Sequence, residues 1–219
     1  MSRNALTMLI VALAIWLALC FLTETLDPLS QVQQLLAAGF AEVQNVRLTD
    51  ANLDSAGNCV DSPEDLAAAA SATLGQPVSV EEYALARMVA CESVADLKGG
   101  SDADKVARIW VALNDAAANN GGDIVQCLTG GHGFGPEGPR KYATGRNDPT
   151  DYHLALVRAC VSGAIPDPTG GATHFLDKYG FADADHKYDP NAYAAAVAKW
   201  TGYGWHRVLV IGKGLEIWT

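Results

Sequence analysis

The stretch Ala84-Leu85-Ala86-Arg87-Met88-Val89-Ala90-Cys91-Glu92-Ser93-Val94 decides how the rest of the chain is read. Just before it, Ser79-Val80-Glu81-Glu82 has the form of a capping box, in which a hydroxyl and a glutamate three residues on satisfy each other's backbone amides. The spacing predicts a helix from there to about Leu97, stopped by Gly99-Gly100. Leu85, Met88 and Val89 precede Glu92 by seven, four and three residues, so all four share one helix face. A carboxyl group on an apolar face loses hydration, which suits the proton donor that glycosidic cleavage requires on its leaving oxygen. The plainer reading is a half-exposed glutamate paired with Arg87, Lys98 or Arg108.

Working outward, Ser101 with Asp104 starts a second helix whose Val106, Ile109, Trp110 and Leu113 share a face. A short helix is predicted at Ile124 to Leu128, followed by a long glycine-rich loop to residue 149. Thr150 or Asp151 caps a helix through Val161, closed by Gly163. Residues 164–189 read as irregular, and Asp189-Pro190 opens a helix to Trp200 that ends at Gly202. The tail WHRVLVIGKGLEIWT (205–219) alternates and turns at Gly212-Lys213-Gly214, a β-hairpin pattern. Upstream, residues 28–48 show helical apolar spacing, 49–61 are turn-rich, and Ser62-Pro63-Glu64-Asp65 starts an alanine-rich helix to Leu74. The expected fold is mainly α (α+β), helices with a small C-terminal β-hairpin. Loops as long as 129–149 and 164–189 in a compact domain are usually functional.

Residues Ala5 to Leu22 are an uncharged apolar run of 18, the length at which a membrane-spanning helix becomes the default. Arg3 precedes the run and Glu24 and Asp27 follow it. That asymmetry favours a cytoplasmic N-terminus and a C-terminal domain on the periplasmic or outer side of the membrane. The rival is a cleaved signal peptide, but the run is long for one and no clear A-x-A site follows. The chain thus divides into an anchor (1–26), a helical spacer (27–78) and a main domain (79–219). A formal charge of −10 removes the general attraction for nucleic acid. Outside the membrane run, Cys59, Cys91, Cys127 and Cys160 lack CxxC spacing and fit either two disulfides or buried thiols.

Four segments together resemble the spore-cortex-lytic (SleB-type) cell-wall hydrolases, over about residues 80–210. ALARMVACESV resembles that family's first helix, in which an apolar run ends in Gly-Glu. VARIWVALNDAA resembles its next helix, ending in Leu-Asn, here Leu113-Asn114. ACVSGAIPDPTGGATHF (159–175) resembles its Asp-Pro-Thr-Gly-Gly-Ala turn, and Gly204-Trp205-His206 its closing Gly-x-His. The resemblance implies a lysozyme-like fold and lytic transglycosylase activity on peptidoglycan, with neither metal nor cofactor. It makes Glu92 the catalytic acid, protonating the bond between N-acetylmuramic acid and N-acetylglucosamine. Glu92 would then act as base while the muramoyl 6-hydroxyl closes a 1,6-anhydro ring. It also implies substrate contacts from Gln126, Asp167, Thr169, Gly170, Gly171, Thr173, His174 and His206. The sequence departs from the family at Cys91, where glycine is usual, and at Ser93-Val94, where Ala-Arg is usual; the family's Gln-Phe-Ser has no clear counterpart, since Gln126-Cys127-Leu128 is followed by a glycine-rich insertion in which Gly133-Phe134-Gly135 would take its place. The Cys91 and Ser93-Val94 departures favour a second expectation, an inactive relative serving as a structural or glycan-binding component of a membrane-associated assembly, while the intact Glu92 favours the first.

Read without the family, Asp167 to Ala172 is a tight turn whose glycines would also let backbone approach a ligand or helix. Tyr142 and Tyr152 are the aromatic residues best suited to a sugar groove, although a small domain more often buries such rings. His132, His153, His174, His186 and His206 include no HxxxH or HxH pair, which argues against a zinc amidase. Asp183, Asp185 and Asp189 lack the spacing of a calcium loop. Cys91 has no cationic partner in sequence reach to make it a thiol nucleophile.

Overall fold

Side-chain caps fix where the helices begin. In the computed structural model, which describes residues 46–52, 55, 61–92, 101–129, 148–178, 181, 188–211 and 214–219, Ser62 accepts from the Asp65 amide at 3.1 Å. With Pro63 in its first turn this starts α1 (Pro63–Leu74), which ends at Gly75 in the left-handed region, φ +64°. The expected capping box opens α2 (Val80–Glu92): the Glu82 amide donates to Ser79 Oγ at 3.1 Å, and the Ser79 amide donates to Glu82 Oε2 at 3.0 Å. Ser101 caps α3 (Asp102–Asn119), α4 is Ile124–Thr129, Thr150 caps α5 (Asp151–Val161) and Asp189 caps α6 (Pro190–Gly202).

The described chain is mainly helical with one small antiparallel sheet. The expected hairpin is present as β2 (Arg207–Ile211) and β3 (Leu215–Trp218). It is not alone, because His174–Asp177 forms β1, which pairs with β3 to give the order β1-β3-β2. A four-residue strand between Pro- and Gly-rich turns has no periodicity of its own; the pairing with β3 makes it extended.

Two clusters of apolar side chains form the interior. Leu66, Ala67 and Ala70 of α1, most of α2, Val106, Ile109 and Ala112 of α3, and Leu154, Leu156 and Val157 of α5 make the larger one. Ala103, Ala107 and Val111 of α3 meet Ala172, Ile211, Leu215 and Ile217 in the smaller. α3 is therefore the wall between the helices and the sheet. The described part of region 27–78 shares the larger cluster through Leu48 and α1.

Two expectations are corrected here. α2 is buried on every side from Tyr83 to Ala90, rather than on one face, because its alanines let neighbouring helices approach closely. The helical spacing read over residues 28–48 does not continue as a helix through residues 46–50. Arg47 forms an isolated antiparallel bridge with Thr150, and the Leu48 amide donates to Pro149 O at 2.9 Å. Extension there brings Arg47 to Asp148, the buried partner of Arg87 at 3.0 Å. Arg87 and Asp148 have fully buried side chains, so each needs the other. Residues 5–22 and 28–45 lie outside the described residues, among which no helix is long and apolar enough to cross a membrane.

Cys127 and Cys160 are buried free thiols, which leaves the two-disulfide option without these members. Burial pushes the Cys127 thiol up, and Asp115, which accepts from it at 3.2 Å, pushes it further. His153 completes the α5 cap: the Thr150 amide donates to its Nδ1 at 3.2 Å. Burial, with Lys105 nearby, lowers the His153 pKa to about 4, against the opposing pull of Asp102 and Asp151. Between the ordinary value of 6.5 and about 4, the unfolded chain binds a proton that the folded chain refuses. Stability is therefore expected to fall as pH drops through that window, and His153→Gln should flatten the dependence in urea titrations at pH 7, 5.5 and 4.5.

Candidate active site at the end of α2

Glu92 is the last described residue of α2, the expected continuation to Leu97 lying outside the described residues, and its side chain is 12% exposed. It leaves the core where α3 and β1 converge. Arg108 of α3, 3% exposed, places Nη1 3.7 Å from Glu92 Oε2. The partner weighed from sequence is thus Arg108, whereas Arg87 is committed to Asp148, and Lys98 lies outside the described residues. Glu92 is consequently not in purely apolar surroundings. It stands beside a guanidinium that is itself held from three other directions. Asp104, one turn earlier on α3, accepts from Arg108 Nε at 2.7 Å. Asp177 of β1 lies 4.0 Å from Nη2, and the Phe175 ring sits 4.6 Å from the guanidinium carbon. Residues 175 and 177 alternate to the same sheet face, the one turned to α3.

The Asp167 turn is a second, separately built structure. Asp167 Oδ1 accepts from the Thr169 amide at 2.7 Å and from Thr169 Oγ1 at 2.6 Å; Oδ2 accepts from the Gly171 amide at 2.9 Å and from Asn114 Nδ2 at 3.1 Å. Asn114 Nδ2 also reaches Thr169 Oγ1 at 3.2 Å and Ala172 O at 3.1 Å. The Leu-Asn helix and the Asp-Pro-Thr-Gly-Gly-Ala segment, far apart in sequence, therefore meet. Gly170 and Gly171 adopt φ of +64° and +85°, and no atom lies within 4 Å of where a Cβ would stand. Their glycines serve the left-handed backbone rather than a close approach. Burial would raise the Asp167 pKa, but the hydrogen bonds from Thr169, Asn114 and Gly171 outweigh it and hold the carboxyl below the usual range.

The remaining expected contacts scatter. Gln126 is an exposed residue of α4 whose amide donates to Asp123. Tyr152 is half-buried against the larger cluster, and burial with an Asp102 hydrogen bond raises its phenol. Tyr142 lies outside the described residues. His174 alternates to the sheet face opposite Phe175, where its ring lies 3.7 Å from that of Trp205, with Trp200 at 6.0 Å. Thr173 accompanies it through a 2.8 Å contact to its Nδ1. His206 is exposed and bonds Thr219 through its backbone alone among the contacts seen. His174 and Glu92 thus do not share a surface. What sequence reasoning missed is the contact of Asp177 with Arg108, because the segment holding it reads as irregular, and that of Asp104, which reads only as a helix-start residue.

Among the described residues, no group of three His, Cys, Asp or Glu side chains is arranged to hold a metal ion. The chain matches no family model, no curated protein and no solved structure.

Replacing Asn114 with alanine leaves Asp167 short of one donor and should cost about 1–3 kcal/mol in urea unfolding at pH 7. A lowered carboxylate pKa stabilises above the ordinary 3.8, and that contribution is lost as pH falls through the folded value. Asp167→Asn should therefore show a shallower loss of stability below pH 3.8 than the parent chain.

Proposed function

We propose that this chain is a lytic transglycosylase of peptidoglycan, with Glu92 as its acid and then its base, on a lysozyme-like domain. The observation that carries the reading is the setting of Glu92, a carboxyl group only 12% exposed on a helix that is otherwise buried from Tyr83 to Ala90. The meeting of Asn114 with the Asp167 turn adds support, since both belong to the segments that resemble the cell-wall hydrolases.

In the proposed reaction, the Glu92 carboxylic acid gives its proton to the glycosidic oxygen. The bond from that oxygen to the anomeric carbon breaks, and its electron pair leaves with the departing sugar. The muramoyl 6-hydroxyl attacks the anomeric carbon and returns its proton to Glu92. No water is consumed, and one carboxyl group suffices for both proton transfers. The anchor read at residues 5–22 would hold this activity at a membrane, with the domain on the side where peptidoglycan lies. Its partners would be glycan strands and an envelope or virion assembly.

A second reading, an inactive glycan-binding relative, draws on Cys91 and on the rings of His174, Trp200 and Trp205 on the other sheet face. Mass spectrometry of purified peptidoglycan incubated with the full-length chain in detergent separates the two. The proposal expects anhydromuropeptides from the parent chain and a loss of at least 100-fold, about 2.7 kcal/mol of barrier, in Glu92→Gln. Equal product from both chains would end the assignment of Glu92. Reducing muropeptides would make water the acceptor.

A further inference from the structure

α6 is the helix that the fold leaves least covered. None of its residues is fully buried, whereas each of the other described helices has buried side chains. It meets the sheet through Tyr193, whose hydroxyl donates to Glu216 Oε1 at 2.5 Å, and through Trp200, whose ring lies 5.5 Å from that of Trp218. The rings of Trp200, Trp205 and Tyr203 follow one another edge to face at 5.3 and 5.5 Å. They gather at the end of the sheet where His174, Trp218 and Arg207 are paired. Tyr203 is 60% exposed, and Val208 and Val210 of the edge strand β2 are 43% and 46% exposed. Leu209 and Ile211 turn into the smaller apolar cluster, so Val210 between them turns to the α6 face.

The charge of this region departs from that of the rest of the chain. The protein carries 25 acids and a net charge of −10, yet no acid lies between Pro190 and Leu215, a stretch that holds Lys199, Arg207 and Lys213. The acids that bound it are engaged elsewhere. Asp189 caps the far end of α6 through the Asn191 and Ala192 amides, and Glu216 is 4% exposed and accepts from Arg207 at 2.7 Å. Lys199 is exposed, with Nζ 5.9 Å from the centre of the Tyr203 ring. Indole and phenol rings settle at the boundary between hydrocarbon and water, and lysines beside them meet anionic headgroups. From this combination we infer that the α6–β2 face rests on an anionic phospholipid surface, with Tyr203, Trp205 and Val210 at the boundary and Lys199 toward the phosphates. A second copy of the chain fits less well, since a two-fold contact sets the same acid-free, cationic patch against itself. Phe175 and Asp177 reach Arg108, beside Glu92, from the opposite face of the sheet. The lipid face and the proposed catalytic end therefore lie across the sheet from each other. The inference shares with the proposed function the anchor read at residues 5–22, and the test separates the two.

The full-length chain is placed in lipid nanodiscs of phosphatidylcholine alone, or of phosphatidylcholine with an equal part of phosphatidylglycerol, and backbone hydrogen exchange is read by mass spectrometry. Amides of α6 and β2 are expected to exchange about fivefold more slowly in the anionic discs, with α3 unchanged. Lys199→Glu combined with Tyr203→Ser, both at exposed positions, should abolish that difference and leave the unfolding temperature within a few degrees of the parent. Equal exchange of α6 and β2 in the two discs would overturn the inference, as would a difference that the double variant retains. Protection that grows with protein concentration in the neutral discs would overturn it in favour of a second copy. A chain that enters neither disc would defeat the anchor alone. The same chain is then floated with phosphatidylglycerol vesicles, where co-flotation that the double variant loses upholds the lipid face and absence of co-flotation overturns it.

Discussion

α3 must be buried on two sides. Val106, Ile109 and Ala112 close the helical core, and Ala103, Ala107 and Val111 close the cluster beneath the sheet. A helix in that position has little surface left for charge, yet α3 carries Asp104, Lys105, Arg108 and Asp115, all less than a tenth exposed. Burying a charge is costly unless it is paired. Each of the four accordingly has a named neighbour: Asp104 with Arg108, Lys105 with Asp102 at 3.5 Å, and Asp115 with Asn119 and Cys127. The pairing of Arg108 extends past its own helix to Glu92 and Asp177, joining the end of α2 to β1 across the wall. The candidate site is thus a consequence of how the middle helix is kept in the core.

Local chemistry made much of the helical part legible. Ser62-Pro63, the Ser79–Glu82 box, Ser101 with Asp104, Thr150 and Asp189-Pro190 each mark a helix start that the structure also has, because a cap is decided by residues three positions apart. The sheet was legible only in its hairpin. β1 depends on β3, about forty residues later, and no pattern within His174–Asp177 announces it. The face of α2 misled for a related reason. Alanines at 84, 86 and 90 read as neutral, but in a packed helix they are where neighbours come closest, and they bury Tyr83 and Arg87 as fully as the leucines.

The candidate site divides along the same line. Glu92 was legible from spacing, and Arg108 as one of three possible partners. Asp177 was not legible, since it needed the strand. Asn114 and Asp167 were legible as residues of two separate motifs, and the fold joins them: the Asn114 amide reaches three acceptors of the turn. His174 went the other way, because the alternation of a strand sends neighbours to opposite faces. It lies with Trp200 and Trp205, apart from the acid that the sequence order had grouped it with.

The account stands or falls on where a glycan strand lies. A crystal structure of the Glu92→Gln chain with a bound peptidoglycan tetrasaccharide tests it most directly. The account predicts a glycosidic oxygen about 3 Å from the side chain at position 92. A strand bound across Trp200, Trp205 and His174, on the opposite face of the sheet, would contradict it.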